Sequence, residues 1–257
     1  MVQKILGYDV EDRTRQDFIN YLCKALSDSK NKNLKPSWLA CLNPHSYVVA
    51  RSDITFSDAL RSADWLVPDG IGIVWVSRLI GRPVPERITG SEIFLAINQY
   101  FNMNGGGRFF FLGSTDGTLE LIKARIAVEF PNIEVVGYYS PSFDSAWSSE
   151  EIEYMISAIN TAKPDVLWVG MTAPKQEKWL YNNLERLNIR FAAAVGAVFD
   201  FYAGKVKRPH PFCQRLGLEW FVRLMQQPKR LWRRTVVSGP VFFWCVLAEL
   251  VQSKVKK

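Results

Sequence analysis

The chain has 257 residues, 48% hydrophobic and 22% charged, with a formal net charge of +7. That is enough apolar content to bury one large core or two small ones, and too much for a disordered or fibrous protein. Four cysteines stand far apart without a C-x-x-C pair and only two histidines accompany them, which argues against a disulfide framework or zinc site and fits a reducing, cytoplasmic compartment.

The opening "MVQKILGYDVEDRTRQ" has too short an apolar run for a signal peptide. Strands are expected near residues 4–8, 38–42, 65–67, 108–112, 133–138, 165–169 and 190–195. Between them helices are expected over 15–29, 116–129, 149–162 and 176–187, with another opening at Ile71. Such alternation requires crossover connections, hence an α/β fold with a mainly parallel sheet covered by helices on both faces. "NMNGGGRFFFLG" is either a seam between two lobes near 104–107 or an ordinary turn from helix to strand.

The composition changes at Lys205. From there on, 12 Lys and Arg face two acids, whereas the first 204 residues carry 20 basic and 23 acidic side chains. Residues 1–204 are therefore expected to form the α/β body and 205–257 an appendage, divided into two helices at Pro228. A tail of this charge suits a polyanion, either nucleic acid or an anionic membrane surface. Its segment "TVVSGPVFFWCVLAELV" is short for a span and contains Pro240 and Glu249. It suits a membrane interface, with Phe242, Phe243 and Trp244 inserted and Lys254, Lys256 and Lys257 at the head groups, or packing on the body or another subunit.

In parallel sheets ligands gather at the carboxyl ends of strands, where loops and helix N-termini converge. In "DWLVPDGIGIVW" Asp69 leaves a strand end, either to meet a substrate or to cap the helix from Ile71. "FFFLGSTDG" offers backbone N–H groups and a hydroxyl at Gly113 and Ser114. "PDVLWVGMTAPKQEKWL" ends a strand at Gly170 and opens a helix with Lys175, Gln176 and Glu177. An acid suits that first turn, but a lysine at the positive end of a helix is better explained by an anionic ligand. "AAAVGAVFDFYAGKVKRP" sets Asp200 after another strand, for a base, a ribose or a turn. G-x-G-x-x-G, P-loop, G-x-S-x-G and H-E-x-x-H motifs are absent, and the nearest approach to D-x-D is Asp9-Val10-Glu11, so metal-dependent phosphate binding is not indicated.

Asn43-Pro44, "ADWLVPDGIGIVW" with "ERITGSEIF", "FFLGS", "PDVLWVGMTAPKQEKW", "VGAVFDFYAGKVKRP" and "LEWFVRLMQQPKRLWRR" follow one another along nearly the whole chain. The ordered set resembles the WecG/TagA/CpsF glycosyltransferases, glycosyltransferase family 26. The resemblance implies a Rossmann-like body and a helical C-terminal appendage that helps form the active site at the membrane. It implies an inverting, metal-independent transfer from a UDP-sugar to a polyprenyl-diphosphate-linked sugar, in bacterial surface-polysaccharide synthesis on the cytoplasmic membrane face. No cofactor is implied, the UDP-sugar being a substrate, nor any nucleic acid; a homo-oligomer is left open. On the matching positions Asp69 becomes the general base, Arg87 a diphosphate or acceptor contact, and Asn43 a group orienting donor sugar or acceptor hydroxyl. Gln176, Asp200 and the Gly113-Ser114 loop fall to the nucleotide pocket, with Gly170 and Lys175 as further substrate-binding positions. Arg223, Arg230 and Arg233 reach either the active site and lipid diphosphate or the head groups. Cys41 stands where the family often has threonine, and a thiol is the poorer donor, so its sugar contact is expected to differ. A competing reading is a nonenzymatic, nucleotide-regulated protein that binds membrane or nucleic acid through its tail.

Overall fold

The computed structural model describes residues 2–29, 35–144, 146–210, 212–213 and 218–255, apart from the side chains of Ser29, Arg230, Glu249 and 252–255. The chain opens on a hairpin in which β1 (Val2–Ile5) pairs antiparallel with β2 (Tyr8–Glu11). The single strand expected over 4–8 is thus centred on a turn. Leu6 and Gly7 both have positive φ, as a two-residue hairpin turn demands, and leucine in the first position gives none of the usual Asn-Gly or Asp-Gly signal.

The other six strands form one parallel sheet in the order β4-β3-β8-β7-β5-β6. They are β3 (Ser37–Leu42), β4 (Trp65–Pro68), β5 (Gly107–Gly113), β6 (Ile133–Tyr139), β7 (Val166–Gly170) and β8 (Phe191–Ala194). Each lies within a residue or two of its expected position, and the architecture is the expected Rossmann-like α/β fold. The strands are apolar throughout because both faces are covered. Trp38, Phe110, Leu167 and Ala192 enter one core, with α2 (Pro44–Ala50), α3 (Ile54–Ser62), α4 (Ile71–Leu79), α7 (Ser149–Ala162) and α8 (Lys175–Asn183). Their neighbours Leu39, Phe109, Trp168 and Phe191 enter the other, with α1 (Arg15–Ser29), α5 (Gly90–Met103), α6 (Asp116–Glu129) and α9 (Val198–Tyr202). Glycines 105–107 turn α5 into β5, and the strands on either side of this turn belong to the same sheet.

From β5 the chain crosses to β6 at one edge, whereas its neighbour β7 leads the other way, to β8. β3 likewise leads outward to β4, so crevices open at the carboxyl ends between β5 and β7 and between β3 and β8. The first is kept tight by glycine. A Cβ on Gly113 would lie 2.6 Å from the Gly170 carbonyl oxygen, and one on Gly170 would lie 2.3 Å from the Phe199 ring. Gly170→Ala is therefore expected to cost about 1–3 kcal/mol through overpacking, read as a melting temperature lower by several degrees.

The C-terminal segment comprises α10 (Glu219–Gln226), α11 (Pro228–Trp232), a π-helical turn (Arg233–Val237) and α12 (Ser238–Val255). Pro228 opens α11 at its first position and divides the helices as expected. Phe242 and Val246 of α12 are buried in the first core, Phe242 edge-on to Tyr47 at 5.5 Å. Phe242 is therefore a packing residue rather than a membrane-inserted one. Its neighbours differ, Phe243 being 58% and Trp244 72% exposed. The helix thus packs with one face and leaves aromatic rings on the other. Lys256, Lys257 and the Lys254 side chain lie outside the described residues. No described helix is long and apolar enough to cross a membrane.

Candidate active site

β3 and β4 end in register, Leu42 opposite Pro68, and the next residue of each, Asn43 and Asp69, has a polar side chain. Asn43 caps α2, its Oδ1 accepting from Ser46 N–H at 3.0 Å. Among the described residues its Nδ2 makes no hydrogen bond. Asp69 is anchored by its N–H, which donates to Leu42 O at 2.8 Å. It does not cap α4: the cap is Gly70, and no side chain bonds the first turn. The capping alternative for Asp69 is thereby excluded. Among the described residues its carboxylate accepts no hydrogen bond. Burial raises its pKa above the ordinary aspartate value and the Glu219 charge adds to this, against the lowering influence of Arg234, Arg223 and Arg87.

Asp69, Asn43 and Cys41 line a cavity of about 310 Å³ between the sheet edge and the C-terminal segment. Cys41 is 9% exposed, and burial, reinforced by Asp69 and Glu177, pushes its thiol well above the usual range. It is a neutral lining group. The loop before α5 is drawn in by Ile88 N–H donating to Pro68 O at 2.9 Å, which sets Thr89 and Gly90 against the cavity. Arg87 sits behind that lining, and its Nη1 donates to Glu219 Oε2 on α10 at 2.9 Å. Arg208 lies 3.9 Å from the same carboxylate and donates to Thr89 Oγ1 at 3.3 Å.

The appendage roofs this cavity. Arg223 and Arg233 line it as anticipated, Arg223 with its guanidinium 5.0 Å from the centre of the Phe201 ring. The Arg230 side chain lies outside the described residues. Arg234 also lines the cavity and is less exposed than Arg233. It is the leading charge acting on Asp69 and also bears on Cys41, His45 and Glu177. His45 bonds Ser238 Oγ at 2.8 Å, and burial, helped by Arg234, lowers its pKa to about 4, so it is neutral near pH 7.

A second cavity of about 470 Å³ fills the crevice between β5 and β7 and shares Met171, Thr172 and Gly196 with the first. Ser114, Gly170, Lys175 and Asp200 line it; Gly113 shapes the turn beside it. Lys175 Nζ donates to Asp144 O and lies 5.4 Å from the Trp147 ring centre. Its position at a helix start is therefore met within the protein, without the anionic ligand invoked for it. Gln176 belongs to the first cavity rather than to this one. It is 4% exposed, and its Oε1 accepts from Met171 N–H and Gly196 N–H, both at 3.1 Å, bracing the ends of β7 and β8.

The profile of the glycosyl transferase WecG/TagA/CpsF family matches residues 3–256. The chain belongs to this family. Two relatives are named N-acetylglucosaminyldiphosphoundecaprenol N-acetyl-beta-D-mannosaminyltransferase: a Bacillus subtilis (strain 168) protein, 32% identical over 90% of this chain and 86% of its own, and a Bacillus spizizenii (strain W23) protein, 31% identical over 93% and 88%. A Staphylococcus aureus (strain MW2) protein of the same name is 25% identical over 98% of this chain and 94% of its own. The chain is accordingly a glycosyltransferase, and the nonenzymatic reading falls away.

Three residues of this WecG/TagA/CpsF glycosyltransferase site escaped the sequence reading. Arg234 follows a nominated arginine; both line the cavity, and the π turn that holds them adds a residue to the helical repeat, so that sequence phasing does not single out Arg234. Lys205 Nζ donates to Thr115 Oγ1 at 3.3 Å and Thr118 Oγ1 at 2.7 Å beside the second cavity; its only signal was its place directly after the Asp200 segment. Glu177 has the signature of an ordinary first-turn acid, yet it lines the first cavity and burial raises its pKa to about 7.

Proposed function

We propose that this glycosyltransferase moves the sugar of a UDP-sugar, a UDP-N-acetylhexosamine first among candidates, onto a hydroxyl of a polyprenyl-diphosphate-linked sugar, inverting the anomeric centre without a metal ion. The observation that carries the reading is Asp69: a carboxylate of raised basicity, without a hydrogen-bond partner among the described residues, in a cavity roofed by arginines. The relatives' names supply the acceptor class and an N-acetylhexosamine as the transferred unit.

In the reaction Asp69 takes the proton of the acceptor hydroxyl as its oxygen bonds the anomeric carbon. The carbon–oxygen bond to UDP breaks on the opposite face, with oxocarbenium character, and UDP leaves as an anion. Arg223, Arg233 and Arg234 supply positive charge where that anion develops. This arginine set supports a metal-independent reaction. The nucleotide fits the second cavity, with its phosphates toward Ser114, Thr115 and Lys205, its ribose toward Asp200 and its base against Phe143 and Trp147. Exposed Trp232, Phe243 and Trp244 on a basic tail support attachment to the inner membrane face without a span.

The test is UDP release from a panel of UDP-sugars with an N-acetylglucosamine-diphosphate-lipid acceptor in chelator-treated buffer. Release that depends on the acceptor and yields a β-linked product is expected. Absence of turnover with every pair, or activity restored only by a divalent ion, contradicts the reading as stated.

A further inference from the structure

Glu177 is a carboxyl of the first cavity that the transfer chemistry leaves unused. It is 2% exposed and its two oxygens are unlike. Oε1 accepts from Gln176 Nε2 at 2.8 Å. Oε2 is cut off from solvent and has no partner among the described residues. Gln176 enforces the difference. Its amide oxygen is held by Met171 N–H and Gly196 N–H, so only its NH₂ group faces Glu177. Oε1 is therefore an acceptor in either protonation state, and a proton on Glu177 resides on Oε2. A buried polar atom of this kind is costly without a partner, and Glu177 lines a cavity from which a ligand can supply one.

We infer that Glu177 binds the donor sugar as a neutral acid, its Oε2–H donating a hydrogen bond to an uncharged sugar oxygen, a hydroxyl or an acetamido carbonyl. This rests on the UDP-sugar reading. Met171 and Gly196, which hold Gln176, line both cavities. Gln176 and Glu177 thus stand at the wall past which a sugar carried on a nucleotide enters the first cavity. Burial holds the carboxyl near half-protonation at neutral pH, its pKa being about 7. Among the described residues the charged and titratable groups lining the same cavity are Arg234 and Arg233 on the π turn, Arg223 and Glu219 on α10, Arg208, Cys41 of β3, Asp69 after β4 and His45 on α2, and of these Arg234 is the charge that bears on Glu177. On its own helix Lys178 is paired with Asp53 at the start of α3, at 3.0 Å, and Lys175 is turned to Asp144. The Cys41 thiol and the His45 ring stay uncharged between pH 6 and 8.

The experiment is calorimetric binding of UDP-N-acetylglucosamine and UDP-N-acetylmannosamine to the full chain at pH 6 and pH 8. The donor is the protonated form, so affinity is present below the pKa and lost as pH rises through it. Wild type is expected to bind its preferred UDP-sugar about tenfold more weakly at pH 8. Glu177→Gln keeps an acceptor for Gln176 and an N–H donor in place of the O–H. It is expected to bind like the pH 6 wild type at both values, whereas Glu177→Ala binds weakly at both, with melting curves confirming that each variant is folded. Equal wild-type affinities at the two pH values, an undiminished step in Glu177→Gln, or Glu177→Gln as weak as Glu177→Ala would each overturn the inference. A pH step without sugar transfer to the lipid acceptor overturns the transferase reading alone, and transfer without the step overturns the role of Glu177 alone.

Discussion

Asp69→Asn is expected to lower sugar transfer by about 10²–10⁴-fold, the usual contribution of a positioned general base, while UDP affinity stays close to that of wild type. The amide keeps the shape of the group and removes only its basicity. Since the Asp69 carboxylate accepts no hydrogen bond from the described residues, the exchange breaks no protein contact there. Burial disfavours the ionised side chain. A carboxyl with a raised folded-state pKa loses stability as pH rises past its unfolded value, so the neutral variant is expected to melt at or above the wild-type temperature near pH 7. The wild-type rate is expected to fall on the acid side as Asp69 becomes protonated, at a pH above the ordinary carboxylate range. Stopped assays of UDP release, run beside UDP calorimetry, check the first claim. Wild-type turnover in Asp69→Asn removes this residue as the base.

Arg234→Ala is expected to lower kcat by about 10²–10³-fold, as loss of a group stabilising transition-state charge does, with a smaller change in donor affinity. Among the described residues Arg234 has no carboxylate partner, unlike Arg87, which Glu219 already holds. Its charge is free to act on the cavity, where it is the leading influence on Asp69. Removing it is also expected to raise the Asp69 pKa further, moving the acid limb of the rate profile upward. A pH–rate profile for the variant reads both effects. A fall in kcat with an unmoved acid limb would separate Arg234 from the base, and an unchanged kcat would remove it from the chemistry.

Much of the fold was legible because its local and tertiary signals agree. α6 and α7 have their expected bounds, each preceded by a hydroxyl residue, Thr115 or Ser148, and Ser148 bonds Glu151 N–H as a cap. The strands were legible as apolar runs because both faces of the sheet are buried. The hairpin was not, since Leu6 adopts positive φ without any residue-type cue. In the site, Asp69 and Asn43 could be read from their places directly after strands. Gln176, Lys175 and Glu177 could not be sorted by sequence, because they share one helix start. Which of them braces two strands, meets a carbonyl or faces a cavity depends on how α8 lies against β7 and β8. Arg233 and Arg234 posed the same difficulty, since helical phase cannot be carried through a π turn.

That turn has a further consequence for the C-terminal segment. Arg234, ahead of its end, belongs to the roof of the cavity, and Phe242, beyond it, is fastened into the core. Each residue of a helix rotates the chain by about 100°, so inserting or deleting a single residue between these two would turn one of them off its face by more than a quarter of a turn. The stretch from Arg234 to Phe242 is thus tuned in length, free to exchange side chains on its outer face but closed to any change in the number of its links.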